Sequence, residues 1–305
     1  MVNRQQCPLW LPLPHRGDGS MRILSSSTVL LHEIPFDDAA RGGGVERKRL
    51  PILRVSVDAL PPSVGAILAC SDLQGTEPAQ PTRPKGQRAR LLPGRGADAP
   101  PRLLGELLAA ELVEVGKDIG LPPTERIGVL LAGDLYVRPD LGRRGGRGDV
   151  RSVWLSFAKH FRWVVGVAGN HDDFGSDEEF WHFYAHEGIH FLDGDVREVD
   201  DLRVAGVSGI IGDLDWPRRR PEADFVACLH RSIDLNPAVL LLHQGPDVPN
   251  AGLPGHPVIN AALQRRNLLV VCGHTHWHTP LATFHGSQIL NVHERAVLLM
   301  VSEAM

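Results

Sequence analysis

Two imidazole-bearing strings in the last third of the chain each close an apolar run. Ala238–Leu242 leads into His243, and Leu268–Cys272 leads into Gly273-His274-Thr275-His276. Three earlier runs end in the same manner. Val64–Cys70 leads into Asp72-Leu73-Gln74, Ile127–Ala132 into Gly133-Asp134, and Trp163–Ala168 into Gly169-Asn170-His171-Asp172. Carboxylate, amide and imidazole groups are hard or borderline donors, a set that suits Mn²⁺, Fe or Zn²⁺ rather than a thiolate-bound metal. Two cations held close together need an anionic bridge, and Asp134, presented by the Gly133 turn, is the carboxylate placed to provide it. Two metals about 3.5–4 Å apart can clamp a phosphoryl group and acidify a bridging water, whose hydroxide attacks phosphorus in line. His171, next to Asn170, would then face the leaving oxygen as an acid or a positive charge. Asp172 would orient that ring.

Each motif alone has a plainer meaning. A lone histidine after an apolar run is more often structural, and Gly-Asp is ordinary turn chemistry. The Gly-His-x-His string is stronger, because imidazoles two residues apart on an extended chain point to the same side. Five such termini arriving in order favour a metal site.

The elements that must position these groups are buried strands. Near-continuous apolar strands alternate with helical spacing at Leu103–Val115, Val150–Phe161, Glu178–Tyr184 and Ala223–Ile233, which predicts a parallel core covered on both faces. Short stretches at Val204–Ile211, Leu281–Phe284, Gln288–Val292 and Ala296–Val301 look antiparallel. Residues 1–60 read as a partly irregular extension with strand-like pieces at Ile23–Leu31 and Ile52–Val57, and residues 61–305 as the main domain. The Gly- and Arg-rich loop holding Arg143, Arg144 and Arg147 follows Asp134. It leaves the carboxyl end of a strand, where α/β sheets bind ligands, and is either a solvated loop or a substrate-facing one. Trp277 and His278, directly after the Gly-His-Thr-His string, are candidate rim residues; Trp277 either walls the pocket or packs against a loop. Arg218-Arg219-Arg220 reads as a solvated charge run.

A net charge of −4 argues against a general nucleic-acid surface. No apolar stretch approaches the ~18 residues of a membrane span. Four cysteines without a C-x-x-C pair read as free thiols, and a reducing cytoplasm is the default expectation.

The ordered motifs resemble the signature D-x-H, G-D, G-N-H-[DE], H, G-H-x-H of the calcineurin-like metallophosphoesterase superfamily, from about Val64 to the C-terminus. The resemblance implies an α/β fold, a four-layer α/β/β/α sandwich of two mixed sheets flanked by helices. It also implies a dinuclear centre hydrolysing phosphoesters. Asp72, Gln74, Asp134 and His276 would hold one metal, and Asp134, Asn170, His243 and His274 the other, with His171 as the transition-state histidine. The first motif departs from the signature, because Gln74 stands where the family has histidine. A neutral oxygen donor favours Mn²⁺, with Fe or Zn²⁺ as alternatives. The expected substrate is a small phosphoester or nucleotide. The alternatives are a phosphodiester, in nucleic acid or a 2′,3′-cyclic phosphate, and a catalytically weak protein scaffold.

Overall fold

A computed structural model of the chain describes residues 21–24, 27–79, 100–142 and 145–301. It begins with a hairpin, β1 (Val29–Ala39) and β2 (Val45–Val57), followed by β3 (Ala66–Ser71), helix α1 (Leu104–Val115) and β4 (Ile127–Leu131). Then come β5 (Gly148–Asp149), α2 (Arg151–Ala158), β6 (Trp163–Gly166), β7 (Asp172–Asp173), α3 (Asp177–Tyr184) and β8 (Ile189–Phe191). The second half holds β9 (Asp195–Val199), β10 (Leu202–Val207), β11 (Ile210–Ile211), β12 (Arg219–Arg220), α4 (Glu222–Asp234) and β13 (Val239–Gln244). It closes with α5 (Pro257–Ala262), β14 (Leu269–Gly273), β15 (Leu281–Phe284), β16 (Ser287–Asn291) and β17 (Arg295–Val301).

Two mixed sheets result. One has the order β1-β2-β17-β3-β4-β6-β8, the other β15-β16-β14-β13-β10-β9. The central strands β3, β4, β6, β13 and β14 are apolar almost throughout because both of their faces are covered. Alternate side chains go to opposite faces, so the single run of β13 serves two cores. Val239 and Leu241 pack between the sheets, while Leu240 and Leu242 pack against Phe225 and Leu229 of α4. On the other side, Leu68 and Cys70 of β3 meet Leu104 and Leu108 of α1 and Trp154 and Phe157 of α2. Three stacked apolar interfaces make four layers, helix on sheet on sheet on helix. Helix α3 starts with a reciprocal cap, in which Ser176 Oγ accepts from Glu179 N at 3.3 Å and Glu179 Oε2 accepts from Ser176 N at 2.8 Å.

Several expectations change. Within the extension read as partly irregular with strand-like pieces at Ile23–Leu31 and Ile52–Val57, residues 29–57 form a long hairpin whose second strand pairs in parallel with β17. The late strands are not uniformly antiparallel. β16 runs parallel to β14, while β17 crosses to the other sheet and lies antiparallel to β3. That crossing places the β16–β17 turn beside the end of β3, where Ser71 bridges to His293. Short α5 carries no helical signal strong enough to be read beforehand.

Candidate metal centre

The motif residues gather where β3, β4, β6, β13 and β14 end on one edge of the facing sheets. Three of them turn the chain there with left-handed backbone: Asp72 (φ 54°), Asp134 (φ 55°) and His274 (φ 63°). Non-glycine residues seldom adopt this conformation, and they do so where a sharp turn aims a side chain. Gly133 (φ 86°) precedes Asp134 and lies directly against the Gly169 backbone. No side chain fits between these two loops, so the turns carrying Asp134 and Asn170 are in contact.

Asp134 is buried at the centre. Its Oδ2 lies 3.3 Å from His243 Nε2, 3.9 Å from His171 Nε2 and 3.4 Å from Gln74 Nε2. Its Oδ1 accepts from the His171 backbone N–H at 2.9 Å. Ligand atoms of Asp134, His243 and His274 lie within 4.8 Å of one another, close enough to share an ion. His243 Nδ1 sits 2.8 Å from the Ala132 carbonyl oxygen, so Nδ1 keeps its proton and Nε2 is the nitrogen turned toward Asp134, the one a cation would claim in place of a proton. Asp72 receives a hydrogen bond from Ser71 Oγ and, at 3.0 Å, from the His274 backbone N–H.

Whether a cation fits is decided by atoms that lack other partners. Asn170 Oδ1, His243 Nε2 and His293 Nδ1 are buried side-chain atoms without a hydrogen bond among the described residues. All three belong to this sheet edge, and an orphaned buried polar group costs about 1–3 kcal/mol unless something satisfies it. Electrostatics agree. Burial opposes protonation of His243, yet Asp134 and Asp72 override it and push its pKa up to about 10. Burial would raise Asp72 and Asp134 as well, but His293 and His243 hold the first, and His243 the second, below the usual carboxylate range. The cluster therefore attracts positive charge, which a divalent cation supplies. Burial, then His243, pushes His274 down to about 4, so its ring is neutral and able to ligate at pH 7.

The structure separates the paired imidazoles expected from Gly-His-Thr-His. Because His274 is left-handed rather than extended, its ring meets His243 (centroids 5.0 Å apart), while the exposed His276 turns to His293 at 5.5 Å. His293 was not singled out from sequence, and its Nδ1 lies 3.0 Å from Asp72 Oδ1. A lone histidine beyond Val292 offers no spacing signal that would have found it.

Other site expectations also shift. Asp172 does not reach the His171 ring, which contacts the Gly146 carbonyl through Nδ1. Fully buried, Asp172 instead accepts three backbone N–H bonds, from Asp134, Leu135 and Gly169 at 2.7–2.9 Å. It ties the Asp134 loop to the Asn170 loop. Trp277 is no pocket wall, since it is buried against α5 with Nε1 donating to the Pro254 carbonyl at 2.6 Å. His278 is exposed at the surface. Arg147 pairs with Asp173 at 3.2 Å, whereas Arg143 and Arg144 lie outside the described residues. Arg218 is not solvated as expected. Its Nε donates to the Asp172 carbonyl at 2.6 Å and its guanidinium stacks over Phe174.

Comparison with known proteins gives this edge a family. The family model for calcineurin-like phosphoesterases matches residues 65–278. No curated protein matches the chain. Among solved structures, phosphopantetheinyl hydrolase from Mycobacterium tuberculosis is similar, at 14% identity and a TM-score of 0.41, over 76% of this chain and 89% of that one. A protein of unknown function from Aquifex aeolicus is also similar, at 14% identity and a TM-score of 0.30, over 76% and 95%. With its motif-bearing strands all inside the matched span, this chain belongs to the calcineurin-like phosphoesterase family and is a metal-dependent phosphoric ester hydrolase.

Proposed function

We propose that the chain hydrolyses a small phosphoester or nucleotide at a two-metal centre, with Asp72, Gln74, Asp134 and His276 on one cation and Asp134, Asn170, His243 and His274 on the other. The observation that carries this reading is the buried cluster of Asp134, His243 and His274, whose ligand atoms lie within 4.8 Å of one another, with Asn170 Oδ1 on the adjoining loop left without a hydrogen bond among the described residues. When bound, the cations polarise a phosphoryl group and make water nucleophilic at neutral pH. Everything else falls to the chain. Asp134 faces both halves of the cluster. His171, its ring held by the Gly146 carbonyl and its backbone by Asp134, keeps Nε2 free to donate a proton to the departing oxygen. Arg147 and Arg218 bring guanidinium groups to the same loop, which suits a phosphorylated small molecule.

Gln74 supports Mn²⁺ as the preferred metal, since an amide oxygen is a weak donor for Zn²⁺. Titrating metal-free protein with each ion tests this: two equal, tight zinc sites with no manganese-dependent activity defeat it. Three buried free thiols, Cys70, Cys228 and Cys272, support a cytoplasmic setting. Among the described residues no helix is long and apolar enough to cross a membrane. The deciding assay compares p-nitrophenyl phosphate with bis-p-nitrophenyl phosphate in added Mn²⁺. Preferred turnover of the monoester is expected. A diester preference moves the substrate to the phosphodiester class, and no turnover with any metal removes the catalytic reading.

A further inference from the structure

Gln74 leaves the first half of the cluster one imidazole short of the family motif, and the fold brings a different imidazole to that place. His293 stands in the turn between β16 and β17. Its backbone bridges to Ser71, the last residue of β3, and its N–H donates to Asn291 Oδ1 at 3.1 Å. Asn291 is itself tied to the Gly-His-Thr-His loop, since its Nδ2 donates to the Thr275 carbonyl at 2.8 Å. The position of His293 beside Asp72 is thus set by backbone pairing between distant strands and not by a mobile side chain.

Two details fit a shared cation. His293 Nδ1 is 3.0 Å from Asp72 Oδ1, yet it is a buried atom without an aligned hydrogen bond. Two donors that sit at right angles on one cation, each about 2.1 Å from it, are about 3.0 Å apart. The observed spacing, though also that of a direct ion pair, lets both atoms serve as neighbouring ligands of a single octahedral ion without rearrangement. His276, assigned to the same metal, has its ring 5.5 Å from that of His293.

Resting on the two-metal reading above, we propose that His293 is a ligand of the first metal, joining Asp72, Gln74, Asp134 and His276 and supplying the imidazole that the first motif lacks. Each half of the centre then contains two imidazoles, His276 and His293 in one and His243 and His274 in the other. The replacement is made from the opposite end of the domain, through the crossing of β17 into the first sheet.

The test measures bound metal rather than turnover. Full-length protein, loaded with Mn²⁺ and dialysed, is assayed by inductively coupled plasma mass spectrometry. Wild type is expected to retain about two equivalents, and His293→Asn about one. Adding Gln74→His to the His293→Asn variant is expected to restore the second equivalent, which a residue that only steadies Asp72 would not permit. Wild type and His293→Asn both holding two metals of equal affinity overturns the assignment and leaves the two-metal reading intact. Loss that Gln74→His cannot rescue also overturns it, whereas wild type holding one metal or none defeats both. Should His293→Asn fail to fold, anomalous scattering from wild-type crystals soaked in MnCl₂ decides. A cation about 2.2 Å from His293 Nδ1 is expected, and a nearest peak beyond about 3 Å rejects the ligand.

Discussion

Asp172→Ala isolates the clip between the two loops that carry the central cluster. The wild-type carboxylate is wholly buried and accepts from Leu135 N at 2.7 Å, Gly169 N at 2.8 Å and Asp134 N at 2.9 Å. Alanine leaves three buried N–H donors unpaired at about 2 kcal/mol each, a gross loss of about 6 kcal/mol. Part of that is returned. Burial, reinforced by the neighbouring Asp134, pushes the Asp172 carboxyl up to about 6. Ionising it in the folded state at pH 7 therefore costs about 3 kcal/mol, which the variant no longer spends. The net loss is about 3 kcal/mol. Urea unfolding at pH 7 in EDTA, which removes the contribution of bound metal, measures it directly. A far-UV circular dichroism spectrum like that of wild type verifies that the variant still folds. A loss below about 1 kcal/mol refutes the reasoning, because the three donors must then find water or another acceptor. Asp172→Asn keeps one accepting oxygen and is expected to fall between alanine and wild type.

His171→Gln is expected to lower kcat on p-nitrophenyl phosphate by about 10²–10⁴-fold while metal content stays at the wild-type level; an equal loss of metal would place the histidine among the ligands instead. Stripping metal with EDTA should lower the thermal midpoint, and re-addition at about a hundred times Kd should restore about 2.7 kcal/mol. A midpoint indifferent to EDTA contradicts a buried metal cluster. Asp200 answers to acid. The Arg162 hydrogen bond, aided by Trp163 Nε1, holds its carboxyl down at about 2 against the opposing effect of burial. Its folded value lies below the unfolded one, so this stability is fully present above about pH 4 and disappears as pH falls towards 2. Asp200→Asn should flatten the acid limb of the stability curve in that window, and an unchanged limb argues that Arg162 contributes nothing there.

The motif-bearing strands were legible in sequence because a central strand covered on both faces must be apolar throughout, and its first polar residue marks where the sheet ends. Five such runs announced the layered fold and brought Asp72, Asp134, Asn170, His243 and His274 forward as a set. Alternation of strand and helix likewise foretold the outer layers, since each helix covers a sheet face. The β1–β2 hairpin was harder to see. Each of its strands is exposed at the open or turn end and buried only over part of its length, and its place in the sheet depends on β17, far along the chain.

What tertiary structure alone decided is the direction of each polar tip and the company it keeps. His274 and His276 are sequence neighbours that part because one residue takes a left-handed turn. Trp277 follows them immediately and goes to the core, because the β14 end faces α5 on that side. Asp172 turned from a partner of His171 into a tie between loops, since three backbone donors converge on it. His293 carries no local pattern at all. Its contact with Asp72 arises from strand pairing across more than two hundred residues, and neither composition nor short-range spacing contains that register.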